Sequence, residues 1–216
     1  MVKHQTGLEV VGPFFYDKTD FSFALATFYY RRLFHVKNTG IIPLPGDKIC
    51  LWVLFESLES GKQIIIANTH FVVSPEEVKM ESIEKLFPEL ESLGLLYKCP
   101  LVVNGDFNLF DDLDGLAHRA HIIKKFQVSN ILYYPLNMNK DSTERRLSGT
   151  FIGYPEVDAF HKTPDTMSRL DHGFMFSDFP LALVGDNAYT VGVTENNLKT
   201  AELSSDHLPC VREFML

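Results

Sequence analysis

The opening third of the chain alternates short apolar runs with polar turn residues, a pattern typical of β-strands. The runs span residues 8–16, 21–30, 33–36, 48–58 and 63–69. Ser60-Gly61-Lys62 supplies a hairpin turn between the last two runs. The pattern therefore predicts a predominantly antiparallel sheet at the start of the chain.

A helix is predicted to begin at residues 74–77. Ser74 would be the N-cap, Pro75 the first helical residue, and Glu77 the acid three residues after the cap. Pro88 should kink or end this helix near Phe87. Its imperfect apolar face comprises Val78, Glu81, Ile83, Leu86, Phe87 and Leu90.

A second helix is predicted from a cap at Asp111 or Asp112 to about Phe126. The stripe predicted to face inward is Leu113, Leu116, Ala117, Ala120 and Ile123. His118 and His121 are three residues apart, close enough on a helix to share a ligand. No acid or cysteine nearby in the sequence completes a metal site, so we interpret both as structural or surface residues.

Length and hydrophobic content suit a single domain over residues 1–216, since 45% of the chain is hydrophobic and can form a substantial core. Strands before, between and after two helices predict an α/β (α+β) fold of two packed sheets with helices outside them. No apolar run approaches ~18 residues, so no membrane span is predicted. No signal peptide is visible either, although a leader could have been lost if the true N-terminus lies upstream.

The cysteines indicate the cellular compartment, and the net charge limits the kinds of binding partner. Cys50, Cys99 and Cys210 are widely spaced in apolar sequence, which indicates reduced core thiols and a cytoplasmic or nuclear location. The net charge of −8 argues against a broad duplex-DNA surface, because duplex binding neutralises phosphates with Lys and Arg. Basic pairs at 31–32, 124–125 and 145–146 are interpreted as solvated surface pairs that could still steer a small phosphoester. The sequence leaves the oligomeric state open.

Candidate chemistry begins at Gly105-Asp106-Phe107-Asn108, which follows the apolar run 101–104. This run predicts a buried strand, and alternation places Asp106 and Asn108 on the same side of the backbone at its end. Together they could hold a metal, a water or a phosphate. The alternative is an ordinary Asx-turn after a strand, to which we assign about half of such tetrapeptides.

Three other segments end or begin a predicted strand with polar residues. Asn68-Thr69-His70 closes an apolar run, Arg169-Leu170-Asp171 opens one, and Ser205-Asp206-His207 precedes the final strand. In this order and spacing the four segments resemble the endonuclease/exonuclease/phosphatase family of metal-dependent phosphodiesterases. The resemblance covers most of the chain, from about Leu8 to the end. It implies a four-layer α/β/β/α sandwich with the four segments gathered at one end.

The resemblance also implies roles for the residues of these segments. Asp106 would orient or deprotonate the attacking water, and Asn108 would hold a phosphate oxygen or the metal. His207 would face the scissile phosphate with its tautomer fixed by Asp171, and His70 would donate a second hydrogen bond to the phosphate. The catalytic set is therefore His70, Asp106, Asn108, Asp171 and His207. Asn68 is expected to support the turn, and His172 remains ambiguous.

The expected cofactor is Mg²⁺ or Mn²⁺, because Asp106, Asn108 and Asp206 offer the oxygen ligands that these cations prefer. Relatives carry an Asn-bearing strand and a Glu-bearing strand at their start, and neither is visible here. The chain is thus expected to be N-terminally incomplete or degenerate, with weakened metal binding and little turnover. Glu9 is not a convincing substitute for the absent Glu, although it would be the first candidate to mutate if the chain proved active.

The leading hypothesis is divalent-metal-dependent hydrolysis of a phosphodiester or phosphomonoester, by a nuclease or small phosphoesterase. Candidate substrates are RNA, a nucleotide, a phosphoinositide, sphingomyelin or another small phosphoester. Nuclease or small phosphoesterase ranks above lipid hydrolase because no lipid-inserting segment is evident. The alternative is a noncatalytic module that retains the fold and binds a phosphate or a partner.

Overall fold

The computed structural model describes residues 7–15, 24–110, 112–132, 170–178, 180–183, 189–190, 210–211 and 214–216. Its helices are α1 (Glu76–Tyr97) and α2 (Leu113–Phe126). Its strands are β1 (Leu8–Phe15), β2 (Ala24–Tyr30), β3 (Phe34–Leu44), β4 (Lys48–Ser57), β5 (Gln63–His70), β6 (Leu101–Asp106), β7 (Val128–Asn130), β8 (Asp171–Phe176), β9 (Ala182–Leu183), β10 (Tyr189–Thr190), β11 (Cys210–Val211) and β12 (Phe214–Met215).

A six-stranded sheet in the order β3-β4-β5-β6-β8-β7 forms the centre of the fold. All of its neighbouring pairs are antiparallel except β5 and β6, which run parallel. Parallel strands need a crossover, and α1 provides it. Because β5 and β6 are parallel, their carboxyl ends meet at the same edge of the sheet.

The face of the sheet on the helix side, called here the outer face, packs against α1 and α2. Ile65, Ala67, Leu101 and Val103 from the sheet share one buried cluster with apolar residues of both helices. Burying side chains of this size contributes about 1.5–3 kcal/mol each. This cluster fixes the parallel pair against α1.

The opposite face, called here the inner face, is covered in part by the β1–β2 hairpin. Val11, Leu25 and Tyr29 of the hairpin pack against a second cluster that includes Leu51 and Val53 of β4. Strands β9 with β12 and β10 with β11 form two further short antiparallel pairs. The predicted α/β sandwich is confirmed, and in the described part of the chain both helices contribute to the outer-face core.

Pro88 was predicted to kink or end α1 near Phe87, and the second alternative was wrong, since the helix continues through Pro88 to Tyr97. Proline in a helix interior costs about 3 kcal/mol. Leu90 and Gly94 beyond it are buried, so continued packing offsets that cost. The start also differs, because Pro75 is the N-cap with no side-chain hydrogen bond and Ser74 does not cap.

The predicted boundaries of α2 are confirmed, but its predicted inward stripe was wrong. Asp112 caps the helix by accepting from the Gly115 amide at 2.8 Å. Leu113, Leu116 and Ile123 are instead exposed, as are Ala117 and Ala120. The buried positions are Gly115, Ile122 and Phe126.

Strand predictions are confirmed in most of their described residues, but Leu33 and Leu58 are turn residues, and two larger differences remain. β3 extends to Leu44 rather than ending at Val36, and it pairs with β4 along its whole length apart from one bulge. β7 was not predicted. Within the described residues, no helix combines the length and apolar content that crossing a bilayer requires. The assignment of one domain over residues 1–216 stays a prediction.

Candidate active site

Three predicted site residues lie side by side at the edge where β5 and β6 end. His70 is in register with Asp106 across the parallel pair, and Asp106 is in register with Asp171 across the antiparallel pair. Residues directly opposite one another on neighbouring strands have Cβ atoms about 4.5–5.5 Å apart. The structure therefore brings an imidazole and two carboxylates into one row.

Strand alternation places this row on the inner face of the sheet. Ile64 and Ile66 of β5, with Val102 of β6 and Met175 of β8, pack in the inner-face cluster. Every second residue shares a face, so His70, Asp106 and Asp171 continue those inner-face rows. The row is therefore located between the central sheet and the layer that faces it.

Gly105 sets the path of the chain into this row. Its φ is +149°, and a Cβ at this position would lie 1.9 Å from the carbonyl oxygen of Thr69. Only glycine allows β6 to approach β5 so closely here. The Phe71 amide then donates to the Asp106 carbonyl at 2.9 Å, which extends the pairing past the end of β5.

Asp106 and Asn108 are joined by a short loop with defined hydrogen bonds. The Asn108 amide donates to Asp106 Oδ1 at 2.8 Å, and Asn108 adopts a left-handed φ of 51°. The side-chain Nδ2 of Asn108 donates to the Phe71 carbonyl at 2.9 Å, which fixes the orientation of the amide group. Among the described residues, no hydrogen bond reaches Asn108 Oδ1, which leaves this oxygen as an acceptor.

Asp106 and Asn108 do form an Asx-turn, since the Asp106 side chain accepts a hydrogen bond from the Asn108 amide. The turn engages only Oδ1 of the two carboxylate oxygens. Asp106 Oδ2 lies 3.5 Å from His70 Nε2, and the two side chains remain 16% and 27% exposed, respectively. A carboxylate beside a partly exposed imidazole can both stabilise the imidazolium and accept a proton from water.

The donor atoms fit a hard divalent cation in type, since a carboxylate and an amide oxygen are ligands of Mg²⁺ and Mn²⁺. Among the described residues, no group of three or more His, Cys, Asp and Glu side chains is arranged to hold a metal. Asp206 and His207 lie outside the described residues, as do Arg169 and Ser205. The roles of all six site residues remain predictions.

His172 connects the loop after Asn108 to β7 and is almost fully buried. Its Nε2 faces the Leu109 carbonyl at 3.5 Å, and its Nδ1 faces Asn130 Nδ2 at 3.2 Å. An amide Nδ2 only donates, so Nδ1 accepts and the ring carries its proton on Nε2. The ambiguous His172 is therefore a structural support of the site.

Asn68 does not support the turn as predicted. Its Nδ2 donates to Thr27 Oγ1 at 2.6 Å and to the Ala26 carbonyl at 3.3 Å, both in β2. Asn68 lies on the inner face, and a polar side chain there needs a partner in the facing layer. It ties the hairpin to the central sheet one row behind His70.

Glu9 is engaged far from the candidate site. Its carboxylate accepts from the Tyr29 hydroxyl at 2.9 Å and lies 3.4 Å from Arg31 Nη1. Burial, and then this hydrogen bond, raise the pKa of Tyr29. Tyr29 packs on Phe55, which pairs with Ile64 near the start of β5, whereas His70 ends that strand. The structure gives no support to Glu9 as a substitute metal ligand.

Sequence reasoning missed Lys79, which is 1% exposed and donates to the Asn108 carbonyl at 2.9 Å. A signal was present. Lys79 lies four residues before Ile83 and seven before Leu86, on the apolar stripe of α1. A charged residue on such a stripe indicates a buried partner.

Comparison with known proteins gives matches at the level of structure. No family model and no curated protein matches. The mannosyl-6-phosphatase of Bacteroides thetaiotaomicron VPI-5482 matches with a TM-score of 0.68 and 20% identity, over 98% of this chain and 78% of that one. An endonuclease/exonuclease/phosphatase family protein from Bacteroides thetaiotaomicron matches with a TM-score of 0.64 and 20% identity, over 94% and 74%. The chain has the endonuclease/exonuclease/phosphatase fold.

A third match is ANGEL2, a 2′,3′-cyclic phosphatase in complex with adenosine-2′,3′-vanadate. It has a TM-score of 0.65 and 16% identity, over 96% of this chain and 74% of that chain. The endonuclease/exonuclease/phosphatase fold predicted from four short segments is thus confirmed. At these identities the likeness establishes the fold, and a fold can carry more than one activity.

Proposed function

We propose that this chain is a divalent-metal-dependent phosphoester hydrolase. The observation that carries the proposal is the row of His70, Asp106 and Asp171 on adjacent strands of an endonuclease/exonuclease/phosphatase fold. Structural neighbours that are named phosphatases, the mannosyl-6-phosphatase and ANGEL2, support phosphoester chemistry.

In this proposal Asp106 orients the attacking water and accepts its proton. Its Oδ1 is held by the Asn108 amide, so Oδ2 is the atom that faces His70 and the exposed side of the row. His70 donates a hydrogen bond to a phosphate oxygen. Asp171 would orient His207, and Asp206 would complete the oxygen ligands.

The cation would be held by Asp106, Asn108 Oδ1 and Asp206. When bound, Mg²⁺ or Mn²⁺ neutralises charge on the phosphate and lowers the pKa of a coordinated water. The Asn108 side chain suits this role because Nδ2 is committed to the Phe71 carbonyl and Oδ1 is an acceptor. The geometry thus favours ligation or water binding over donation by this amide.

The proposed substrate is a small phosphoester, with RNA or a nucleotide as the preferred classes. The net charge of −8 disfavours wide contact with a duplex, whose affinity depends on many Lys and Arg contacts. A compact substrate needs only the few cations and hydrogen-bond donors of the site itself. We also propose a reducing compartment, cytoplasmic or nuclear, since Cys50 and Cys99 are free and buried.

The test compares two Asp→Asn variants in hydrolysis of bis-p-nitrophenyl phosphate with Mg²⁺, at an enzyme concentration high enough to resolve the low turnover that we expect of this chain. D106N should lower the rate by about 10²–10⁴-fold, because an amide cannot take a proton from water. D178N is the matched control, since Asp178 is exposed beyond the other end of β8 and should leave the rate unchanged.

A second measurement follows Mn²⁺ by its broadening of backbone amide signals. Broadening should centre on residues 106–108 and disappear in D106N while persisting in D178N. Hydrolysis that survives D106N would overturn the proposal. Selective Mn²⁺ broadening without turnover would instead favour the noncatalytic phosphate-binding module.

A further inference from the structure

A buried ammonium group lies directly beneath the candidate active-site loop. Lys79 Nζ is 2.5 Å from Glu76 Oε1 and 2.9 Å from the Asn108 carbonyl oxygen, and its side chain is 2% exposed. Taking an ammonium ion out of water costs several kcal/mol unless partners compensate. An apolar residue of similar length would fill this position on the α1 stripe without that cost. A lysine at this position therefore carries an energetic cost that packing alone does not explain.

The carbonyl that Lys79 holds belongs to a residue that is fixed at two other points. The Asn108 amide donates to Asp106 Oδ1, and Asn108 Nδ2 donates to the Phe71 carbonyl. Asn adopts a left-handed φ such as the 51° seen here more readily than most residues other than glycine, and these hydrogen bonds select that conformation over the alternatives. The Lys79 ammonium makes the third hydrogen bond to this residue, and it reaches the loop from α1. The Phe110 ring, with its centroid 5.5 Å from Nζ, closes the same space.

The same cluster reaches the second helix. Glu76 uses its Oε1 for Lys79, and its Oε2 lies 3.4 Å from His118 Nδ1 on α2. His118 Nδ1 is buried and makes no hydrogen bond within the described part of the chain. Glu76 is 44% exposed, so water can still solvate this carboxylate if Lys79 is replaced. The Asn108 carbonyl has no such alternative, because Asn108 is only 3% exposed.

We propose that Lys79 is a positioning residue that holds the Asp106–Asn108 loop in its reactive conformation. This inference rests on the proposed function for the catalytic meaning of that loop. Losing the ammonium would free the Asn108 carbonyl, relax the left-handed turn and misplace the Asp106 carboxylate. A displacement near 1 Å of a catalytic group is sufficient to cost about 10²-fold in rate. Lys79 itself does not touch the substrate.

The test uses K79M, which keeps the length and apolar stem of the side chain and removes its charge. K79R is the conservative variant that keeps the charge. K85M is the matched control on the exposed side of the same helix. The measurements are kcat and KM for bis-p-nitrophenyl phosphate with Mg²⁺, and hydrogen exchange of individual backbone amides.

K79M should lower kcat about 100-fold with little change in KM, and K79R should recover part of the loss. In K79M the Asn108 amide should exchange about tenfold faster, while amides in the centre of β4 keep their protection. K85M should match the unaltered protein in both measurements. Glu76 can be hydrated, so K79M is expected to stay folded.

Two results would overturn the inference. The first is that K79M keeps the kcat and the Asn108 amide exchange rate of the unaltered protein. The second is that amide exchange in K79M rises uniformly across β4 and the loop, which would make Lys79 a general stabiliser. The exchange measurement needs no activity. If the unaltered chain shows no metal-dependent hydrolysis, the proposed function fails, while exchange at Asn108 still decides whether Lys79 positions the loop.

Discussion

At the scale of single residues, the candidate site depends on backbone positions as much as on side-chain chemistry. Gly105 is the clearest case, because β6 passes so close to β5 that its α-carbon has no room for a substituent. Asp106 follows at once, so the spacing of the two strands directly determines where its carboxylate lies relative to His70.

G105A should therefore destabilise the protein severely, by more than about 4 kcal/mol. The added methyl would lie 1.9 Å from the Thr69 carbonyl oxygen, and the φ of +149° is unfavourable for alanine. G61A is the control, since its φ of +67° lies in the left-handed region that alanine can adopt at modest cost, and nothing lies within 4 Å of the new Cβ. It should cost only about 1–2 kcal/mol. Urea unfolding compares the two, and equal costs would contradict the close-contact argument.

At the scale of secondary-structure elements, two carboxylates of α1 contact basic side chains of α2. Glu76 pairs with His118, and Glu84 pairs with both His121 and Lys125. The histidines of α2 thus find carboxylates on α1, which are distant in sequence. This explains why the acids that these histidines need are not visible near them in the chain.

The Glu84 contacts make a small part of the stability depend on pH. The Lys125 hydrogen bond, and then the His121 hydrogen bond, hold the pKa of the Glu84 carboxyl below its usual range. A lowered pKa in the folded state stabilises the protein above the unfolded pKa of about 4.3 and loses that effect as pH falls through the folded value.

E84Q should therefore unfold more easily than the unaltered protein at neutral pH, by tenths of a kcal/mol to about 1 kcal/mol, because the pair is partly exposed. The difference should shrink below about pH 4. E91Q is the control, since Glu91 is exposed on the same helix. Urea unfolding at several pH values measures both, and a difference that persists unchanged at acid pH would count against the pairing.

At the scale of the whole molecule, the two layers around the inner face are linked behind the candidate site. Asn68 of the central sheet bonds to Thr27 and Ala26 of the hairpin. Apolar contacts such as Tyr29 on Phe55 continue the interface toward the other end. The polar link thus fixes the hairpin nearest the row of site residues.

N68A should loosen the hairpin without unfolding the central sheet. Loss of two hydrogen bonds at a half-buried position should cost about 1–2 kcal/mol. Amide exchange in β1 and β2 should accelerate about tenfold, with β4 unchanged. N104A is the control, because Asn104 is the register partner of Asn68 and makes no side-chain hydrogen bond within the described residues. Equal acceleration in both variants would show that the Asn68 bonds do not hold the hairpin.

The sequence predicted those features of the fold and of the candidate site that depend on the local pattern of apolar and polar residues. Apolar runs bounded by polar residues located β5, β6 and β8, and therefore the row that His70, Asp106 and Asp171 form. The inward face of α2 was not predictable in this way. Gly115 packs so closely that a Cβ there would lie 2.0 Å from the Phe110 carbonyl oxygen, and this contact together with the Glu84 pairs sets the rotation of the helix.

Two other misses have similar causes. The part of β3 that was not predicted begins at Lys37 and contains Asn38 and Gly40. These are poor strand formers, yet pairing with β4 and the Trp52 ring packed over Gly40 keep this part extended. Lys79 is buried because its partner Asn108 comes from the next strand's loop. Each miss reflects a contact between segments that the sequence pattern does not reveal.

The parallel pairing of β5 and β6 has a consequence for how this half of the site assembles. Strand, crossover helix and strand are consecutive, so His70, Lys79, Asp106 and Asn108 all belong to one uninterrupted β-α-β segment. The closure that brings His70 to Asp106 spans 36 residues, whereas the closure that brings Asp171 of β8 to Asp106 spans 65, and a shorter closure costs less chain entropy. We therefore expect this segment to fold as one cooperative unit, which forms before β8 is added to the sheet.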